Sequence, residues 1–230
     1  MSRRKRNQKQ SDETLVDIVE VRDQAQSFMD ANQTYIFGGL VALVVLVGGF
    51  LAYKNFYKAP KQQEAVAQMY RAQQRFEQDS FALALTNPGG GFSGFLDIID
   101  EYSGTPAANT AKYYAGVSYL HLGKYEAALD YLKGFSPEGE ITPIMKHGAI
   151  GDAESELGNY DAAMSAYKKA VNAGDNSVLT PYYLKKMGML HERNGNLAEA
   201  KSAYERIKAD YPASPIGRDI DKYIVRVSKG

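Results

Sequence analysis

Hydrophobic and polar positions follow three successive rhythms along this chain. Residues 12–31, DETLVDIVEVRDQAQSFMDA, place Leu15, Ile18, Val19, Phe28 and Met29 at helical spacing. That pattern predicts an amphipathic helix, with Ser11 or Asp12 to cap its start. From Tyr35 to Tyr53, YIFGGLVALVVLVGGFLAY, the rhythm vanishes: 19 residues carry no charge and no strongly polar side chain. As a helix that run is about 28 Å long, close to the thickness of bilayer hydrocarbon. Beyond residue 60 the helical period returns, in stretches broken by glycine, proline and asparagine. The predicted fold class is all-α.

The apolar run reads as a single transmembrane helix over residues 35–57, behind a basic tail with the amphipathic helix over 1–34. Tyr35, Tyr53 and Tyr57 stand at its ends, where amphipathic rings favour the headgroup zone, and Lys54 and Lys58 stop it. A cleaved signal peptide is the competing reading, but its apolar core is about 7–15 residues long and lies nearer the start. Orientation is divided. The tail SRRKR and Lys9 favour a cytoplasmic N-terminus, whereas near the span only Arg22 precedes it and Lys54, Lys58, Lys61 and Arg71 follow. A short basic tail kept inside, with the large domain moved across, is the commoner arrangement and the expected one. Gly38, Ala42, Val45, Gly49 and Ala52 fall near one stripe, as expected for close packing on another membrane helix, although small residues are frequent in membrane helices generally.

The third rhythm is a repeat. HLGKYEAALDYL at 121–132 returns as ELGNYDAAMSAY at 156–167 and as RNGNLAEAKSAY at 193–204. Gly116, Gly151 and Gly188 are separated by 35 and then 37 residues. Gly123, Gly158 and Gly195 keep those offsets, as do Ala128, Ala163 and Ala200. The first glycines are expected where two helices approach most closely. The second set is expected to end the first helix in a left-handed conformation. The alanines mark tight packing of the second helix, and Tyr125, Tyr160 and Leu197 plug the gap behind the turn. A period near 34 with these markers resembles the tetratricopeptide repeat over residues 106–210.

The two extra residues fall in NAGDNSVLTP, 172–181, a longer loop. Upstream, 61–79 and 94–106 read as the helices of an irregular first hairpin over 61–105, and 80–94, with Asn87, Pro88 and three glycines, as a flexible insertion. EYSGTPAA at 101–108 is echoed by DYPASPIG at 210–217. The segment 106–230 is then three repeats plus a C-terminal capping helix, 215–228, with Ile216, Ile220, Ile224 and Val227 on its buried side.

Composition adds exclusions. Lysine plus arginine and aspartate plus glutamate both number 27, so no net field favours nucleic acid, and basic stripes with interleaved aromatics are lacking. There is no cysteine, hence no disulfide and no thiolate metal site. His121, His147 and His191 lack partners at ligand spacing, and His191 fills the slot of Tyr119, a packing position. NPGGGFSG is followed by no Lys-Ser/Thr pair, and GFSGF has Phe95 where a nucleophile elbow needs glycine. The expectation is a protein that is not an enzyme, with no catalytic, cofactor-binding or metal-binding residues.

What remains is a surface. First helices of stacked hairpins line a concave groove. In the register above, Tyr113, Val117 and His121 face it, then Asp152, Ser155 and Glu156, then Tyr182, Lys185, Met189 and Arg193. Aromatic, flexible apolar and oppositely charged groups together suit an extended or helical polypeptide. Grooves that clamp acidic chaperone tails carry Lys and Asn where Tyr113 and Val117 stand, so that specialised use is not expected.

The order of basic tail, single span, hairpin and repeats resembles the YfgM-like ancillary subunits of the bacterial Sec translocon. It is most similar to their relatives in Bacteroidetes-type bacteria, through FLDIIDEYSGTPAANTAKYYAGVSYLHLGKYEAAL at 95–129. The resemblance covers most of residues 30–228. It implies a single-pass inner-membrane protein, N-terminus cytoplasmic and repeats periplasmic. The implied function is a scaffold or chaperone-like adaptor, with the translocon, a periplasmic chaperone or a secreted polypeptide as partner. A purely structural subunit of an envelope assembly is the alternative, and self-association stays open.

Overall fold

The computed structural model describes the backbone of residues 2–228 and the side chains of Arg22 and residues 24–228. The side chains of Leu15, Ile18 and Val19, on which the amphipathic reading rests, lie outside the described residues. The chain forms two compact units that divide between Ala59 and Pro60.

The first unit is one helix, α1 (Ser2–Ala52), followed by a π-helical turn, Tyr53–Lys58. This corrects the expected start at Ser11 or Asp12, because the helical backbone already runs through both. Residues 37–52 are solvent-exposed throughout, and this helix is long and apolar enough to cross a membrane. Gly38 and Gly49 have open space around them, and Ala42, Val45 and Ala52 are exposed as well.

The second unit contains only helices among its described elements. It opens with α2 (Ala59–Glu77), α3 (Phe81–Thr86) and α4 (Phe95–Glu101). Three hairpins follow: α5 (Pro106–His121) with α6 (Tyr125–Gly134), α7 (Thr142–Glu156) with α8 (Tyr160–Asn172), and α9 (Leu179–Arg193) with α10 (Leu197–Asp210). Two short helices, α11 (Pro215–Asp219) and α12 (Asp221–Ser228), close the chain.

Each hairpin is made by the same local chemistry. Gly123, Gly158 and Gly195 take φ of 70°, 79° and 76°, the left-handed C-cap conformation. The next amide closes each turn on the carbonyl five residues back: Lys124 on Tyr119, Asn159 on Glu154 and Asn196 on His191, all at 2.9 Å. One turn later Ala128, Ala163 and Ala200 are fully buried. A side chain in place of Gly116, Gly151 or Gly188 would collide with the residue sixteen positions on. A Cβ at Gly116 would lie 2.6 Å from Leu132, one at Gly151 2.5 Å from the Tyr167 ring, and one at Gly188 2.3 Å from the Tyr204 ring. The first glycine is thus a socket into which the second helix inserts a large buried side chain, Leu132, Tyr167 or Tyr204. Successive first helices also interlock, because Tyr183 of α9 fills the space beside Gly148 of α7.

Two expectations are corrected. The segment 80–94 is not one flexible insertion. Residues 81–86 form α3, which buries Ala84 and Leu85 against Phe95, Ile98 and Ala115. The remaining loop is anchored: Pro88 is buried and its carbonyl accepts from Arg75 Nε at 3.0 Å, while Gly89, Gly90 and Gly91 all have positive φ. The run FALALT fits a helix turn; only the neighbouring Asn-Pro-Gly signal made the whole stretch read as loop. The closing helix is likewise two helices, with a turn at Ile220 that drives this residue fully into the core, whereas Ile216 and Ile224 are half-buried.

The echo between 101–108 and 210–217 is a shared helix start. Thr105 Oγ1 accepts from the Ala108 amide at 3.1 Å and donates to the Tyr102 carbonyl at 2.7 Å. Ser214 Oγ does the same with Gly217 and Tyr211, at 2.9 and 2.8 Å. Proline at the first position of α5 and of α11 completes both starts.

Candidate protein-binding groove

A cavity of about 310 Å³ opens between α7, α8 and α9. Five of the predicted groove residues line it: Asp152, Ser155, Glu156, Met189 and Arg193. Tyr167, Lys186 and Leu190 complete the wall. The sequence register pointed to Lys185; the stripe that faces the cavity is Lys186, Met189 and Arg193. Tyr182 continues it one turn earlier, since its ring lies 5.4 Å from Lys186 Nζ. Lys185 turns aside onto the Tyr223 ring, 4.7 Å away.

Asp152 organises the floor. Its Oδ1 accepts the Tyr167 hydroxyl at 2.7 Å and the Lys186 ammonium at 3.0 Å. Burial works against the Lys186 charge, but Asp152 and Tyr182 outweigh it and hold its pKa above the ordinary lysine value. Arg193 is exposed and stacks on Tyr160 at 4.2 Å; Glu156 is exposed opposite, within 3.4 Å of the Tyr125 hydroxyl. Met189 is 48% exposed between them. One wall is therefore cationic, the other anionic, with a flexible thioether between.

The first hairpin's residues are placed differently. Tyr113 is half-buried against Phe135, with ring centroids 5.5 Å apart. Val117 packs on the cluster of Ala128, Leu132 and Ala149. His121 stacks on Phe81 of α3 at 4.3 Å. The structure does not bring these three to the cavity. Tyr182 borders a second, apolar hollow of about 250 Å³ with Val178, Leu179, Tyr183, Ser214, Pro215 and Ile216. Sequence reasoning missed Tyr167, although its place sixteen residues after Gly151, matching Tyr204 after Gly188, was the available signal.

The tyrosines packed within and between the hairpins have a testable consequence. Burial pushes the Tyr113 phenol up to about 12, and it also raises Tyr167, Tyr183 and Tyr204, with Asp152 or Glu192 adding to the rise. In the unfolded chain phenols ionise near pH 10. The neutral form is the folded one, so its stabilisation is whole below about pH 10 and is lost as pH rises through the folded-state values. Titration followed at 295 nm is expected to show a fraction of the 17 tyrosines ionising only together with the loss of helical circular dichroism. Ionisation of all of them near pH 10 with the helices intact contradicts this packing.

The tetratricopeptide repeat family model matches residues 95–136 and 149–215. A search of curated proteins returns no match to the chain. The matched segments take in α4–α6, the second half of α7 and all of α8–α10, and the socket glycines, left-handed turns and buried alanines recur there in one register. Over those residues the chain is similar to tetratricopeptide-repeat proteins, and every described element of it is a helix.

Proposed function

We propose that this protein is a membrane-anchored, non-catalytic scaffold that holds an extended stretch of polypeptide along the groove of α7 and α9. The observation that carries this reading is the cavity itself. It is open, lined by groups of both charge signs around an exposed methionine, and has rings for side chains to lie against. Such a wall meets a peptide's amides and mixed side chains better than a small compact ligand. The single apolar helix supplies the anchor. The layout that resembles YfgM-like subunits supports an inner-membrane location with the repeats periplasmic, near the translocon and its clients.

Full-length protein with Met189→Glu and Arg193→Glu, purified in detergent from its native membranes, tests the reading. Both side chains are exposed, so folding and membrane retention are expected to be unchanged while co-purifying polypeptides fall at least about fivefold, the loss of roughly 1 kcal/mol in binding. Unchanged recovery overturns groove binding and favours a purely structural subunit. A phosphatase fused at Gly230 reads the orientation: activity is expected, and its absence inverts the topology.

A further inference from the structure

We infer that the π-helical turn Tyr53–Lys58 is a binding collar for the headgroups of anionic phospholipids. The inference rests on the reading of residues 35–57 as a membrane span. The turn is π-helical by its own hydrogen bond: the Ala59 amide reaches the Lys54 carbonyl, five residues back. In this wider turn, as in an α-helix, positions four apart lie on one face. Tyr53 stacks on Tyr57, ring centroids 5.3 Å apart and planes within 21°. Lys54 and Lys58 are likewise four residues apart, and Lys58 Nζ lies 6.0 Å from the Tyr53 ring centroid. None of the six residues is buried, and Phe56 is 85% exposed.

The result is an aromatic face beside a cationic one. Exposed rings sit well at the level of the lipid carbonyls, and the ammonium groups reach outward to phosphate. Charge complementarity selects the lipid. No acidic residue occurs between Asp30 and Glu64, so no carboxylate of this segment competes for Lys54 and Lys58. The other end of the span is different: between Arg22 and Lys54 there is no lysine or arginine, and Asp30 is the nearest ionic group to Tyr35. Enrichment of anionic lipid is therefore expected at one end only. Each lysine near a membrane surface is worth about a fivefold local preference for anionic over neutral headgroups.

The absence of native cysteine permits a direct test. Full-length protein carrying Asn55→Cys or Thr34→Cys is labelled with a fluorophore and reconstituted in phosphatidylcholine vesicles. These contain a small, equal fraction of headgroup-spin-labelled phosphatidylglycerol or phosphatidylcholine. The labelled phosphatidylglycerol is expected to quench the Asn55 site several-fold more than the labelled phosphatidylcholine does. Quenching at the Thr34 site is expected to be equal for the two lipids. Lys54→Gln with Lys58→Gln should abolish the difference at Asn55, and so should about 0.5 M salt, which shortens the screening length. Equal quenching at Asn55 in the unmodified collar overturns the inference while leaving the span intact. Failure of the protein to float with pure phosphatidylcholine vesicles overturns the span, and the collar with it.

Discussion

Gly188→Val is expected to lower the stability of the repeat array by about 3 kcal/mol, at the upper end of overpacking costs. The reason lies in what faces this glycine. A Cβ there would lie 2.3 Å from the ring of Tyr204, which is itself fully buried. The ring has no free rotamer to retreat to, because its hydroxyl donates to Glu192 Oε1, which also receives Arg226 at 2.6 Å. Relieving the clash means breaking that bond and leaving a buried phenol unsatisfied, or parting α9 from α10. For a domain of this size the loss shifts the thermal midpoint by roughly 6–12 °C. Gly195→Ala is the control. Nothing lies within 4 Å of its Cβ, so it pays only the left-handed conformation at φ 76°, about 1 kcal/mol. Circular dichroism melts of the full chain in detergent compare the two; equal shifts would contradict the socket.

Ile220→Ala is the second large effect. Ile220 stands at the turn between α11 and α12 and is fully buried in the cluster that includes Leu190, Tyr204 and Ile207. Removing three carbons there forfeits their burial and leaves a hole, for a cost of about 2–4 kcal/mol. The consequence is regional. Stability in repeat arrays sums over neighbouring units, and the terminal cap protects the last of them. Hydrogen exchange is therefore expected to accelerate in α10 and α12 and to stay unchanged in α5 and α6. Val225→Ala, at a position 50% exposed, should alter neither melting nor exchange by more than about 0.5 kcal/mol. A uniform response along the array would contradict the nearest-neighbour picture.

The repeat was legible because its markers are local and recur. A glycine at a left-handed turn, or one under a partner's ring, allows no common substitute, and three copies in one register leave no ambiguity. The apolar helix was equally plain, because nineteen uncharged residues need no period to be recognised. What stayed hidden depended on geometry between elements. Tyr113 and His121 occupy groove positions by register, yet Phe135 and Phe81 come from loops and a short helix whose placement no period encodes. Lys185 and Lys186 differ by one residue, about 100° around α9, so a small error of phase exchanged the groove lysine for its neighbour. The π turn at Tyr53–Lys58 has no sequence signature beyond its rings and lysines. The kink at Ile220 follows from the core's demand for that one side chain rather than from a helix breaker.

A photo-crosslinking residue in place of Met189, compared with one in place of Glu205 on α10, tests the central reading most directly. Met189 lines the cavity, whereas Glu205 is exposed and outside it. In intact membranes containing the full-length protein, irradiation is expected to capture polypeptide from position 189 and little from position 205. Capture of equal strength from both positions, or from 205 alone, would contradict a groove that works by the shape and charge of its wall.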